Sequence, residues 1–470
     1  MHLPNMLDAK KREKEKNTKI YDYVFTKIDP SLVGKKYFVR TYGCQMNEHD
    51  GEKIKGVLES EGLIETQNIE EASLVILNTC AIRENAHDKV FGYLGLVKKL
   101  KETKNILLGL CGCMAQEKNV CDLIMSKYKY VDFVFGTHNL DQMINTINES
   151  IKNKKQEIEV YSIPGNICEG MPEKKDSKIT AWVDIMLGCD KFCTYCIVPY
   201  TRGTQRSRRH EDIVNEVKKL KEEGYKEVTL LGQNVNAYGK DLYPDYNLAN
   251  LFRDVNETGI DRIRFVTSHP WDFTDEMIDA IEECPHVMPY IHLPVQSGSN
   301  KILKLMNRSY TKEEYLALYK KIREKVTNAV ITTDIIVGFP GETEEDFEET
   351  MNVVNECKFD GAYTFIFSPR ENTPAALLKD DTPLSIKEDR LHRLNEKINE
   401  YSNASNQKLL GTIEEVLVLG ISEKDSSKYM GYTRGMKLVN IESDENIIGK
   451  IVDVKITEAK SFSLDGKLVK

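Results

Sequence analysis

The chain has 470 residues, 40% of them apolar, which is enough material for about three domains with real cores. Its 65 basic against 74 acidic residues leave a net charge of −9, so bulk charge gives no support to nucleic-acid binding, and any such footprint must be local. Eleven cysteines follow a start, Met1-His2-Leu3-Pro4-Asn5-Met6-Leu7-Asp8, that lacks an apolar leader, and no apolar run is long enough to span a bilayer. The expectation is a cytoplasmic, reduced protein whose thiols serve metals or catalysis, not disulfides.

Residues 1–34 read as a polar arm, with the run Lys10-Lys11-Arg12-Glu13-Lys14-Glu15-Lys16 as a solvated, partly helical stretch. From 35 to 153 strands and helices alternate. Strand candidates are 37–41, 74–78, 106–110 and 133–135; Ile54, Val57 and Leu58, then Val90, Leu94 and Val97, mark helix faces between them. Such alternation predicts a parallel sheet covered by helices. The stretch 154–174, with Pro164, Gly165, Gly170 and Pro172, reads as a linker, and its Cys168 stands alone.

Alternation resumes over 175–407, with strands expected at 182–186, 228–231, 263–267, 290–293, 331–337 and 362–367. The helix face Ile213, Val217 and Leu220 ends at Gly224. Six βα units predict an open or partial barrel, whose chemistry gathers at the carboxyl ends of its strands. Over 408–470 the pattern turns to β: 416–419 is one strand, and Val452, Val454 and Ile456 alternate with Asp453 and Lys455 in another. A small barrel of OB type fits, a shape that often presents nucleic acid. The fold class is therefore α/β: an amino-terminal open parallel-sheet domain, a central partial (β/α)6 barrel and a carboxyl-terminal small β-barrel.

Cys189, Cys193 and Cys196 lie at CxxxCxxC spacing just past the first barrel strand. Iron–sulfur cubanes take one thiolate per iron, so three local thiolates leave one iron open for a chelating cofactor. Zinc usually takes four closed ligands, and no fourth Cys or His lies at suitable spacing, His210 being the nearest His downstream. A second set is spread out: Cys44, Cys80 and Cys113 each follow a different strand of the amino-terminal sheet. The carboxyl ends of parallel strands line one crevice, so these three can converge as another incomplete cage. Cys111 competes with Cys113 for the third place; Gly43-Cys44 and Gly112-Cys113 share a preceding glycine, which favours Cys113. Cys111, Cys121, Cys284 and Cys357 read as core thiols.

Together these residues resemble the methylthiotransferases of the radical S-adenosylmethionine (SAM) superfamily. The resemblance rests on CxxxCx(aromatic)C with Tyr195 in the aromatic slot, Thr41-Tyr42-Gly43-Cys44-Gln45-Met46-Asn47, Asn78-Thr79-Cys80-Ala81-Ile82-Arg83 and Gly112-Cys113-Met114. It extends to Arg202-Gly203, to 292–299 and to 333–343, and covers nearly everything past the amino-terminal arm. Gly232-Gln233-Asn234-Val235-Asn236 resembles the branch that acts on prenylated adenosine. One departure is Thr204-Gln205, where many relatives read Arg-Glu.

The resemblance implies two [4Fe-4S] clusters and SAM as cofactors, with Cys44, Cys80 and Cys113 around an auxiliary cluster at 35–153 and Cys189, Cys193 and Cys196 in a radical SAM core at 175–407. It implies a TRAM-like RNA-binding barrel at 408–470. The implied reaction places a methylthio group on carbon 2 of N6-dimethylallyladenosine just 3′ of the tRNA anticodon. The implied partners are a tRNA anticodon stem-loop and an electron donor such as a flavodoxin or ferredoxin, with no membrane and a monomeric chain. Alternatives are the same chemistry on threonylcarbamoyl-adenosine or a ribosomal protein, or a non-catalytic metal-stabilised RNA-binding protein.

Further site candidates come from strand ends. Gln233, Gln296, Ser297 and Asp334, with the backbone around Gly338 and the ring of Tyr195, are candidates for contact with SAM. Arg202, Arg206, Arg208 and Arg209 form the one sharp basic cluster and are candidates for RNA phosphate contact. Arg370 follows the last barrel strand as a possible lining residue, and His292 reads as a hydrogen-bonded interior residue.

Overall fold

The structure, a computed structural model, describes residues 3–4, 19–81, 84–162 and 167–469. The Lys10–Lys16 run, Ile82, Arg83, Pro164 and Gly165 lie outside the described residues.

The chain enters through β1 (Ile20–Asp22) and builds a six-stranded, all-parallel sheet from β2 (Lys36–Thr41), β3 (Ile64–Glu65), β4 (Leu74–Thr79), β5 (Leu107–Gly112), β6 (Phe133–Phe135) and β7 (Glu157–Glu159), in the order β3-β2-β4-β5-β6-β7. Every residue of β4 is buried, as a parallel strand covered on both faces requires. The helix Gln45–Ser60 covers one face with Ile54, Val57 and Leu58, and Val90, Leu94 and Val97 pack on the other.

Two expectations need correction here. The segment read as a polar arm contributes Tyr23, Ile28 and Leu32 to a buried cluster of this domain. The segment read as a linker supplies β7, the sheet's last strand, and β8 (Ile167–Glu169), which pairs in parallel with β1. Cys168 is free and half-buried in β8.

The central unit is an arc of six parallel strands in two halves. β9 (Thr180–Asp184), β12 (Glu227–Leu231) and β13 (Arg262–Phe265) form one half, and β14 (Tyr290–His292), β15 (Val330–Val337) and β16 (Gly361–Ile366) the other. An isolated parallel bridge, Ile263 to Val287, links the halves, and β16 leaves the arc open. Between β9 and β12, a short antiparallel ribbon of β10 (Met186–Leu187) and β11 (Arg206–Ser207) brackets the cysteine loop. This ribbon is not legible in the sequence, because two-residue strands carry no period.

A closed barrel follows, β17 (Ile413–Ile421), β18 (Tyr429–Thr433), β19 (Leu438–Glu442), β20 (Ile451–Ala459) and β21 (Leu464–Leu468), ordered β17-β18-β19-β21-β20. It packs against the amino-terminal end of the central strands. Arg262, the first residue of β13 and fully buried, donates to Glu415 Oε1 at 2.9 Å and to the Tyr432 carbonyl at 2.9 Å. Among the described residues no helix is long and apolar enough to cross a membrane.

Candidate functional site

Cys44, Cys80 and Cys113 sit just past the ends of β2, β4 and β5, three neighbouring strands of one sheet. Polar stitching holds those ends together. Asn47 Nδ2 donates to the Thr79 carbonyl at 3.0 Å, Asn78 Nδ2 to the Asn47 carbonyl at 2.7 Å, and Thr79 Oγ1 to the Cys111 carbonyl at 2.5 Å. Cys44 also stands at the N-cap position of the helix Gln45–Ser60.

The two glycines serve contact between strand ends. A Cβ on Gly43 (φ 143°) would lie 2.8 Å from the Cys80 Cβ, and one on Gly112 (φ 89°) would lie 2.3 Å from the Thr79 carbonyl oxygen. Cys80 and Cys44 both act electrostatically on the buried Cys113, whose thiol burial pushes up to about 12. Cys111 belongs elsewhere: it packs into a core with Phe133 and Phe135 and donates weakly to Asn78 Oδ1. The structure thus places Cys113, not Cys111, with the other two.

The second triad lies on the loop between β10 and β11. Gly188 (φ 77°) has no room for a side chain, since a Cβ would stand 2.1 Å from the Thr204 carbonyl oxygen. Lys191 N donates to Cys189 Sγ at 3.4 Å, and Cys196 N donates to the Cys193 carbonyl at 3.0 Å. Burial raises the Cys189 thiol to about 12 and raises that of Cys196 as well, with Cys193 acting on both. Lys191 reaches Asp272 Oδ2 at 3.0 Å, and Asn234 Nδ2 and Lys240 Nζ both donate to the same carboxylate at 2.7 Å, which fastens the loop to the barrel.

Sequence reasoning missed one feature common to both triads: each has a buried arginine aimed at a sulfur. Arg202 Nε donates to Cys113 Sγ at 3.2 Å, while its Nη2 pairs with Asp50 at 2.6 Å. Arg308 Nη1 donates to Cys193 Sγ at 3.4 Å, while Nε and Nη2 bind Tyr310 Oη at 3.0 Å and the Pro294 carbonyl at 3.2 Å. A guanidinium beside a sulfur favours its anionic form. No sequence signal for Arg308 exists, because it meets a cysteine 115 positions away.

The triads face one seam. Cys113 and Ala81 pack with Ile197 and Tyr200, one and four positions after Cys196. Cys44, Leu187 and Trp182 all pack against one buried cluster of Met46, Leu231 and Val266. Among the described residues no three Cys, His, Asp or Glu side chains close tightly enough for a single ion. A cubane asks for less, because it spreads three thiolates over three irons. Soft thiols, buried arginine donors and an apolar surround fit such a group at both places.

The remaining candidates divide. Asp334 and His292 face the barrel lumen, with His292 Nε2 3.3 Å from Asp334 Oδ2 and its Nδ1 3.0 Å from Thr332 Oγ1. Beside them Tyr290 and Tyr363 line the open side, and Tyr363 and Phe365 are exposed. Gln296 holds a left-handed φ of 67°, and its backbone bridges Asp334 and Ile336 at 2.8 and 2.9 Å. Tyr195 backs the cysteine loop among Ile302, Met306, Phe339 and Phe367.

Gln233 hydrogen-bonds the Gly188 amide, so it shapes the loop. Ser297 is fully buried, and its hydroxyl pairs with Thr350 Oγ1 and the Ser299 amide, away from any ligand. Gly338 makes room for Lys387, whose Cγ would lie 2.5 Å from an added Cβ, and not for an adenine. Arg370 O accepts from Thr373 N in a turn past β16.

The basic cluster is also corrected. Arg202 and Arg206 are buried, and Arg208, with 12% of its side chain exposed, is spent on internal carboxylates, so the three do not face phosphate. Arg208 is held by Glu169 at 2.6 Å and Glu216 at 2.8 Å. Arg209 alone is exposed, and it pairs with Asp212 at 2.6 Å. Gln205, at the departure noted above, is buried and donates to the Ala237 carbonyl at 2.6 Å.

Three family models match the chain: Uncharacterized protein family UPF0004 over 36–136, the Radical SAM superfamily over 183–354 and the TRAM domain over 407–469. A tRNA-2-methylthio-N(6)-dimethylallyladenosine synthase from Oceanobacillus iheyensis is 52% identical over 469 residues, which is 99% of this chain and 90% of that one. One of the same name from Staphylococcus aureus is 50% identical, over 99% of this chain and 91% of its own. Among solved structures, the radical S-adenosylmethionine methyltransferase TsrM from Kitasatospora setae, with cobalamin and a [4Fe-4S] cluster bound, matches with a TM-score of 0.56 at 12% identity. That match covers 73% of this chain and 77% of the other and is a likeness of fold alone.

Proposed function

Because the chain belongs to the tRNA-2-methylthio-N(6)-dimethylallyladenosine synthase family of radical SAM enzymes, we propose that it converts N6-dimethylallyladenosine next to the tRNA anticodon to its 2-methylthio derivative. The observation that carries this reading is the shared seam: Cys113 packs in one cluster with residues that follow Cys196, and Cys44 packs on the same apolar cluster as Leu187, two residues before Cys189. Two sulfur-ligand sets on one seam suit a reaction that must activate a carbon and deliver sulfur to it.

Cys189, Cys193 and Cys196 would hold the cluster that binds SAM, and Cys44, Cys80 and Cys113 the auxiliary cluster. When bound, these groups supply a carbon radical able to take hydrogen from an inert aromatic carbon, and the sulfur that replaces it. The chain's own residues do the rest. Arg308 Nη1 and Arg202 Nε donate to the sulfurs of Cys193 and Cys113 and anchor them in place. Tyr195 and its apolar neighbours exclude water behind the loop. Asp334 and His292 offer polar partners in the lumen, and Tyr363 and Phe365 offer exposed rings on which a splayed base can stack.

The domains are an auxiliary-cluster unit, a radical SAM core and an RNA-binding barrel. The last lies at the opposite end of the central strands from the cysteine loops, so an RNA that touches both runs along the open side beside β16. A monomeric chain working in the cytoplasm with a flavodoxin- or ferredoxin-like electron donor completes the reading.

Nucleoside mass spectrometry of tRNA from cells lacking the gene tests the substrate. The 2-methylthio-prenyl-adenosine peak disappears and its unmodified prenyl precursor accumulates. Persistence of that peak, with loss of a methylthio derivative of threonylcarbamoyl-adenosine or of a ribosomal protein, would refute the choice.

A further inference from the structure

Across the amino-terminal sheet, the strand ends past β2, β4, β5 and β6 carry Cys44, Cys80, Cys113 and then His138. The mechanism uses the first three. His138 is the fourth in the row, and both its ring nitrogens are buried without a hydrogen-bond partner. Arg206, from β11 of the central unit, shows the same condition: Nε and Nη1 are buried and unpartnered, and only Nη2 is engaged, with the Arg202 carbonyl at 3.2 Å. Thr137 Oγ1 donates to the Thr201 carbonyl at 2.5 Å, which clamps the two units together at this place.

The electrostatics is lopsided. Arg202 is compensated by Asp50 and Cys113. Arg206 has no carboxylate in ion-pair contact among the described residues; Asp241 acts from a distance and is engaged by Ser207 and Gln205. Burial and the two nearby guanidiniums hold His138 well below its ordinary pKa, so the ring is neutral and offers one donor and one acceptor. A buried guanidinium left without a partner carries a desolvation penalty of several kcal/mol, so such groups are paired in native proteins.

We propose that Arg206 and His138 form a site for a small monoanion of the hydrosulfide type, placed beside the Cys44, Cys80 and Cys113 triad. One uncompensated positive charge calls for one negative charge. The burial of Arg206, 5% exposed, admits a small ion and excludes an RNA phosphate. The choice of hydrosulfide rests on the function proposed above: a methylthio product carries away one sulfur per turnover, so a sulfur source must reach the auxiliary triad repeatedly. The three free N–H bonds on Nε and Nη1 and one imidazole N–H suit a polarisable anion, and Arg202 links the site to Cys113 by its carbonyl on one side and its Nε on the other.

Crystals of the cluster-loaded full chain soaked in bromide test the site without turnover. A bromide anomalous peak between Arg206 and His138, lost in Arg206→Gln, is expected. Bromide found only elsewhere overturns the proposal. With sulfide as the sole added sulfur source, Arg206→Gln and the space-filling His138→Phe should each raise the sulfide concentration for half-maximal methylthio product by about tenfold or more, with the loss regained at saturating sulfide. An unchanged sulfide requirement despite a bromide peak marks an adventitious ion only, and a loss that excess sulfide does not restore marks a packing role; both overturn it. If the unaltered protein makes no methylthio product, the enzyme reading fails instead, and the bromide peak still reports on the site.

Discussion

Arg202 Nε donates to Cys113 Sγ at 3.2 Å, joining a loop of the central barrel to the auxiliary triad, and the same guanidinium pairs with Asp50 at 2.6 Å. The two units are therefore coupled through a sulfur that is also a candidate cluster ligand. Arg202→Gln removes both contacts and leaves Asp50 without its partner, at a cost of about 3–5 kcal/mol. Methylthio insertion should fall far more than cleavage of SAM to 5′-deoxyadenosine, both read by chromatography. Equal loss of the two would contradict a role centred on the auxiliary triad.

Cys111 and Cys113 provide a close internal control, two residues apart on one strand end. Cys113→Ala should reduce bound iron from about eight to about four per chain, whereas Cys111→Ala should keep about eight and lower only stability, since its thiol packs against Phe133 and Phe135. Iron analysis of anaerobically reconstituted protein decides between them, and the reverse pattern would move the third ligand to Cys111.

Buried His49 joins the amino-terminal unit to the barrel. Its Nδ1 lies 2.8 Å from Asp184 on β9 and its Nε2 lies 3.1 Å from Glu173. Burial, the largest influence, depresses its pKa, and Lys53 and Lys175 act the same way, but the Asp184 and Glu173 carboxylates together outweigh them, so the pKa is raised. A raised value means that protonated His49 contributes stability in full below its unfolded value of about 6.5, and that the contribution is lost as pH rises through the native value. Unfolding free energies from urea titration should therefore fall as pH rises from about 6 into the alkaline range, by about 1.4 kcal/mol for each pH unit by which the pKa is raised. His49→Gln should flatten that fall, and an unchanged slope would refute the clasp.

The basic cluster separates into structural and surface charges. Arg208→Gln breaks pairs with Glu169 and Glu216 and should cost about 3–5 kcal/mol in stability while leaving the salt dependence of tRNA binding unchanged. Arg209→Gln should leave stability nearly unchanged and reduce the salt slope by about one if Arg209 meets phosphate. Binding isotherms at several salt concentrations read both. A reduced slope for Arg208→Gln would restore the phosphate reading that its burial argues against.

How much of this was legible depends on how local each signal is. Cys189, Cys193 and Cys196 lie within one stretch of eight residues and could be read directly. Cys44, Cys80 and Cys113 could be read because a parallel sheet gathers its strand ends, so position after a strand implies nearness in space. Arg308 and Arg202 could not, since they meet cysteines 115 and 89 positions away. The run from Arg202 to Arg209 misled because the carboxylates that neutralise Arg202 and Arg208 come from Asp50, Glu169 and Glu216, which no local charge count includes. Gly338 misled in the same way: what occupies the space beside it is Lys387, supplied by a helix beyond β16. Strand β7 was missed because Glu157-Ile158-Glu159 is too short and too polar to stand out from a linker.

The central claim is that six thiols form two separate three-ligand cages. Iron and acid-labile sulfide analysis of the anaerobically reconstituted chain tests it most directly, beside variants lacking Cys80 or Cys196. The account predicts about eight irons in the unaltered chain and about four in each variant, with SAM cleavage surviving only in Cys80→Ala. About four irons in the unaltered chain, or bound zinc in place of iron, would contradict it.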